Sequence, residues 1–125
     1  MFSCQFSPED TYLASASGDR TLRIWNTSTN LCEQKVDLEP GDGSDVLAYT
    51  PNGQKIVTGG IRFLYLQGPS GFLRVWNALT LVCEMNFDSG HKNRIWSISF
   101  NKSGNRLATA SSDITLKVWN MVKIK

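Results

Sequence analysis

Apolar and polar residues alternate along this chain in short runs, each stopped after four to six positions by Gly, Pro, Asn, Asp or Ser. A period of two bounded by turn residues predicts β-strands, half-buried and antiparallel, rather than helices. Near the C-terminal end, Ile95-Trp96-Ser97-Ile98-Ser99-Phe100 alternates and stops at Asn101-Lys102-Ser103-Gly104. Arg106 to Ala110 then alternates again, turns at Ser112-Asp113, and runs into Thr115-Leu116-Lys117-Val118-Trp119. The same strand and turn order starts at the N-terminus, with Pro8-Glu9-Asp10 and Gly18-Asp19 as turns. It recurs in the middle, where Pro51-Asn52-Gly53 is a strong turn signal. Fourth strands are predicted at 31–36 and 81–87. None is predicted after Trp119, which leaves the last sheet with an unpaired edge.

The pattern is a repeat at residue resolution. Leu-Arg-Ile-Trp-Asn (22–26), Leu-Arg-Val-Trp-Asn (73–77) and Leu-Lys-Val-Trp-Asn (116–120) close three successive units. Their tryptophans are 51 and 43 residues apart, so the middle unit is eight residues longer. Ser15 precedes Trp25 by ten positions, as Thr109 precedes Trp119, whereas Thr58 precedes Trp76 by eighteen. The insertion therefore lies between the second and third strands of the middle unit, near 61–70. The units are assigned to 1–36, 37–88 and 89–125, together one all-β domain.

At 125 residues the chain is long enough for one ordinary domain. No apolar run is long enough to span a membrane, and the first residues have neither a basic region nor an apolar core. The expected location is therefore cytoplasmic or nuclear, without secretion. Cys4, Cys32 and Cys83 show no Cys-x-x-Cys spacing, and two of them occupy equivalent repeat positions. They are expected to be small buried residues in a reducing compartment. The net charge of +2 conceals an asymmetry: residues 1–90 hold six Lys/Arg against ten Asp/Glu, and residues 91–125 hold seven against one.

These features resemble the WD-repeat β-propeller family, whose period is about 40–45 residues and whose units are four-stranded blades. The third unit matches best, with Gly90-His91 before its first strand, Asp113 at the turn, and Trp119-Asn120 in place of Trp-Asp. The resemblance implies a partial propeller of three antiparallel blades, the last without its fourth strand. Rings of this kind hold roughly 4–8 blades, so three units are expected to be a fragment, the product of a truncated gene model, or a part that needs a partner. It also implies a buried hydrogen-bonded chain of His91, Thr109, Asp113 and Trp119. A hairpin turning near Asp113 would set Thr109 opposite Trp119, with Ser111 as the rival hydroxyl. The other units depart from the pattern: Pro40 aligns with His91, Ser70 stands where the Asp is expected, and the first unit's Gly-His segment would precede Met1. Only the third network is expected to be complete.

A Ser/Thr, His and Asp trio raises the question of hydrolysis. The chain has no Gly-x-Ser-x-Gly elbow, and the hydroxyls fall in mid-strand beside a Trp, so no enzyme activity is expected. With a single histidine and no cysteine pair at ligand spacing, neither a metal nor a cofactor is implied. The acidic stretch 37–45 lacks EF-hand spacing and is read as a connecting loop.

The functional lead is the insertion, which includes Ile61, Arg62, Phe63, Leu64 and Tyr65. In propellers of this resemblance, turns between second and third strands share a face with the loops preceding first strands, and partners dock there. Aromatic residues are enriched among interface anchors. The same stretch is open to three other readings: folding back on its blade, extending the two strands as a hairpin, or an error in the gene model. By alignment, Lys92, Arg94 and Ser112, with Gly18, Gly41 and Gly43, should surround the same face. The expected role is a non-catalytic scaffold for protein–protein interaction, its partners other proteins of a multiprotein complex, a second copy, or the rest of a propeller. The alternative is a nucleic-acid-associated component, of an RNP or chromatin, using Lys92, Arg94, Lys102 and Arg106.

Overall fold

Eleven strands arranged as three separate antiparallel sheets, each a simple meander, make up the computed structural model, which describes residues 3–17, 19–38, 46–64 and 68–121. The first blade is β1 (Ser3–Phe6), β2 (Tyr12–Ala16), β3 (Thr21–Asn26) and β4 (Cys32–Asp37). The second is β5 (Val46–Tyr49), β6 (Lys55–Leu64), β7 (Gly68–Asn77) and β8 (Cys83–Asp88). The third, among the described residues, is β9 (Ile95–Phe100), β10 (Arg106–Ser111) and β11 (Leu116–Asn120), with β11 at its edge. The fourth strands begin one or two residues later than expected, because Asn30 and Leu81 turn the chain at φ 60° and 56° first.

Repetition in sequence is repetition in conformation. The first turn of each blade is closed by the same bond, Asp10 N–H to Ser7, Gly53 N–H to Thr50 and Gly104 N–H to Asn101. The donor has positive φ each time, at 64°, 74° and 79°. Glycine suits that conformation, and Asp tolerates it.

The blades pack face to face, and the core lies in the two seams. Between the first and second blades, Ala14, Ala16, Leu22 and Ile24 meet Leu47, Tyr49, Ile56 and Trp76. Between the second and third, Val57, Leu73 and Val75 meet Ile95, Ile98 and Leu107, with Phe100 and Trp119 partly buried alongside. Alternation along β9 is not strict. A register shift between Ala110 and Ser111 lets both Ile95 and Ile98 face the second blade, while Trp96 between them is 50% exposed. A bulge is how a strand turns two residues of odd spacing to one side.

One expectation is corrected here, the burial of the cysteines. Cys4 and Cys32 are exposed and Cys83 is only half-buried. Cys4 stands on the first blade's outer face, which no sheet covers, and the other two open strands at the blade rims. The insertion near 61–70 takes one of the readings left open for it, extension of the two strands as a hairpin. Pairing between β6 and β7 continues past Gly59↔Leu73 through five further pairs, Gly60↔Phe72 to Leu64↔Gly68, so it extends the hairpin.

Candidate functional site

The third blade's β10–β11 turn is built by its own side chains. Ser111 Oγ accepts from Asp113 N–H at 3.1 Å and donates to the Arg94 carbonyl at 2.9 Å. Asp113 Oδ1 accepts from Thr115 N–H at 3.0 Å and from the Thr115 hydroxyl. Ile114, at φ 69°, completes the reversal. The segment entering β9 is shaped the same way: Gly90 at φ 82° donates its N–H to Asp88 Oδ1 at 2.8 Å and turns His91 inward. His91 ends 1% exposed and Thr109 0%.

These two pieces join in one chain of hydrogen bonds. The Trp119 indole N–H donates to Thr109 Oγ1 at 3.2 Å, and Thr109 Oγ1 lies 2.8 Å from His91 Nε2. His91 Nδ1 lies 2.9 Å from Thr115 Oγ1 and 3.3 Å from Asp113 Oδ2. The Thr115 hydroxyl gives its one proton to Asp113 Oδ1, so His91 Nδ1–H donates toward Thr115 and Asp113, and in that tautomer Nε2 accepts from the Thr109 hydroxyl. The Asp113 carboxylate also accepts from Lys92 N–H at 2.8 Å. The Thr115 hydroxyl foremost, then the Lys92 and Thr115 amides and His91, hold its carboxyl well below the usual carboxylate range, against the opposing effect of burial.

His91, Thr109, Asp113 and Trp119 are thus brought together, with one correction of geometry. Thr109 is opposite Lys117, and Trp119 is opposite Leu107. The indole reaches Thr109 diagonally, two positions along the strand, a distance large aromatic side chains span. Ser111 is no rival, because its hydroxyl is engaged in the turn. Thr115 was not foreseen, although Asp-x-Thr also stands at Asp19-Arg20-Thr21, where Asp19 caps Thr21 in the same way. The indole–hydroxyl bond recurs in the other blades, Trp25 to Ser15 at 3.1 Å and Trp76 to Thr58 at 2.9 Å. With both Thr109 and His91 sealed from solvent, this trio has no access to a substrate.

The network opens onto a surface at one end of the blades. Lys92 is exposed, Ser112 N–H donates to the Arg94 carbonyl at 2.9 Å, and the three residues sit together beside Asp113. Ile61 pairs with Gly71, whose N–H donates to the His91 carbonyl at 3.0 Å and whose carbonyl accepts from Ser89 N–H at 3.0 Å. A Cβ on Gly71 would stand 2.6 Å from the Asn93 carbonyl oxygen, so only glycine permits this approach. The base of the long hairpin is therefore stitched to the segment entering β9. Arg62, Phe63 and Leu64 continue β6 as backbone; their side chains, and Tyr65, Gly18, Gly41 and Gly43, lie outside the described residues. Lys102 and Arg106 stand at the far end of β9, about 20 Å away for a six-residue strand, so the four basic positions do not form one patch.

No helix among the described residues is long and apolar enough to cross a membrane. Among those residues no group of three or more His, Cys, Asp or Glu is placed to hold a metal ion.

The chain is similar to known proteins over almost its whole length. The human F-box-like/WD repeat-containing protein TBL1X is 29% identical over 138 residues, covering 96% of this chain and 21% of that protein. The Target of rapamycin complex subunit wat1 of Schizosaccharomyces pombe is 29% identical over 120 residues, covering 95% of this chain and 35% of that one. The chain thus spans about a fifth to a third of the relatives it matches. Among solved structures, that of U3-55K superposes with a TM-score of 0.82 at 18% identity, over 97% of this chain and 36% of that one. The crystal structure of the RRP9 WD40 repeats gives 0.82 at 18%, over 97% and 35%. The family model for the WD domain, G-beta repeat, matches residues 1–26 and 81–120, which hold the first three strands of the first blade, the last strand of the second and the strands of the third. Matched by that model at both ends, and folded into sheets that pack as propeller blades, the chain belongs to the WD-repeat family.

Proposed function

We propose that this chain is a non-catalytic interaction scaffold of a multiprotein assembly, cytoplasmic or nuclear, that presents the β6–β7 hairpin and the neighbouring Lys92, Arg94 and Ser112 to a protein partner. The observation that carries this reading is the hairpin itself. Its five additional pairs carry the second blade about 15 Å beyond the corresponding turns of the other two. Gly71 holds its base in a fixed position against the third blade. A rigid support under a protruding element lowers the ordering cost of binding. The sequence at the tip, Phe63-Leu64-Tyr65-Leu66, has the apolar and aromatic character of interface anchors.

The experiment is a loop exchange. Residues 63–69 are replaced by Asn-Gly, a two-residue turn that closes the hairpin on the Arg62↔Ser70 pair and leaves Gly71 in place. Proteins bound by wild-type and exchanged forms are then compared quantitatively in the source cells, with near-ultraviolet circular dichroism confirming that the tryptophans stay packed. Loss of the bound set with the fold kept is expected. An unchanged set, or one removed by nuclease rather than by the exchange, overturns the reading, the latter in favour of nucleic acid.

A further inference from the structure

The β2–β3 turn of the first blade and the β10–β11 turn of the third share one backbone. Arg20 N–H donates to the Ser17 carbonyl at 3.1 Å, and Ile114 N–H to the Ser111 carbonyl at 3.2 Å. The donor has positive φ in both, 65° and 69°. Glycine suits that conformation and Asn tolerates it, whereas two branches on Cβ make it an outlier. A β-branched residue therefore stands where the turn accommodates one least. Contacts within the chain do not offset the strain, because Ile114 is 94% exposed.

Exposure by itself would carry little, since single apolar residues are common on surfaces. Leu31 and Leu79 are exposed in that ordinary way, and neither has positive φ. The outward direction of Ile114 belongs to the turn. Arg20 is exposed as well, in a blade whose fourth strand is in place and whose Leu38 N–H donates to the Arg20 carbonyl at 2.8 Å. The turn is also held from three sides: Asp113 N–H donates to Ser111 Oγ at 3.1 Å, Thr115 N–H to Asp113 Oδ1 at 3.0 Å, and Lys92 N–H to Asp113 Oδ2 at 2.8 Å. Strain that a rigid setting maintains is found at binding sites.

We propose, on the basis of the scaffold reading above, that Ile114 is the apolar anchor of this surface and enters an apolar pocket, rimmed by carboxylates, on a protein partner. Charge selects the rim. Lys92 is exposed beside the same turn, the Arg94 carbonyl accepts from Ser112 N–H, and Lys117 Nζ lies 3.6 Å from a Cβ built on Gly90. These three cations outnumber the two carboxylates at this end of the blade. Asp113 is turned inward at 11% exposed, and Asp88 caps Gly90 N–H at 2.8 Å. Acidic groups around the pocket complement such a surface, and a locked turn leaves the anchor little to order on binding.

The test begins with a diazirine-bearing leucine analogue placed at position 114 of the full chain and irradiated in the source cells. The cross-linked protein is named from its peptide, purified, and titrated against wild type and variants. Ile114→Asn is expected to weaken its binding about tenfold or more, and Ile114→Leu to keep it within about threefold. Lys92→Glu is expected to weaken it and to reduce its dependence on salt. Ile114→Asn should also raise the midpoint of denaturant unfolding, which an ordinary surface contact would not. Absence of a cross-linked protein, a cross-link to nucleic acid alone, unchanged affinity in Ile114→Asn, or a midpoint that falls overturns the proposal. Binding that survives Ile114→Asn but is lost on replacing residues 63–69 overturns this proposal and leaves the scaffold reading standing. Binding that survives both overturns the two together.

Discussion

The first and third blades make the same turn and reach different ends. Asp19 accepts from the N–H and hydroxyl of Thr21, and Asp113 accepts from those of Thr115. Beyond that the two diverge. The Asp19 side chain is 57% exposed, with Arg23 at 4.0 Å, an ion pair of little value in solvent. The Asp113 side chain is 11% exposed and faces His91, which ties the turn to Thr109 and Trp119. A three-residue motif suffices to build a capped turn. Joining that turn to the blade interior takes a second segment, delivered by Ser89, Gly90 and Gly71 from outside the hairpin. The first and second blades both have the indole–hydroxyl bond, Trp25 to Ser15 and Trp76 to Thr58, and the chain's one histidine stands in the third.

This contrast is most sharply broken at Gly71. Gly71→Val places branched carbons where the Asn93 carbonyl and the His91 side chain already stand, at 2.6 and 2.8 Å from the first added atom. Backbone on one side leaves little room to yield. A loss of about 3 kcal/mol or more is expected, measured by denaturant titration of tryptophan fluorescence. Equal stability of variant and wild type would mean that the second and third blades are not stitched at this point.

The hydroxyl pair gives a finer comparison. Thr109→Val removes a partner from both the Trp119 indole and His91 Nε2, whereas Thr58→Val removes one only from the Trp76 indole. Losses of about 2 and about 1 kcal/mol are expected in the same titration. Equal losses would show that His91 adds nothing to the third blade.

Acid titration separates the two aspartates with the smallest effect. The folded pKa of Asp113 is depressed below its ordinary 3.8. Its contribution to stability is therefore present above that value and lost as pH falls below it. Asp113→Asn should be less stable than wild type at neutral pH, with the difference shrinking below pH 3.8. Asp19→Asn should show a weaker form of the same trend, since its turn is open to solvent. A pH-independent gap for Asp113→Asn would sink the assignment of the carboxylate as the charged acceptor.

Much of the local structure was legible because its causes are local. Turn residues at Asp10, Gly53 and Gly104 marked where each blade folds back, and the tryptophan phrase fixed the third strands. The network members were legible only through resemblance. Thr115 went unread although Asp-x-Thr occurs twice, because the pattern alone does not show that His91 Nδ1 will lie beside the hydroxyl. The insertion was located to the residue range but not shaped: alternation in Ile61–Leu64 fits a strand or an anchor loop equally well until pairing with 68–71 is seen.

The sequence by itself determined three units, their strand order and their turns, since hydrogen-bonded reversals and period-two patterning depend on near neighbours along the chain. Tertiary structure alone decided what each face meets. Leu22 and Leu116 belong to the same repeated phrase, yet one is sealed and the other stands in solvent, because burial is set by the surface that arrives opposite. The same reason left Cys4 exposed and made Gly71 indispensable: both depend on whether another blade stands there, which no residue's own sequence neighbours record.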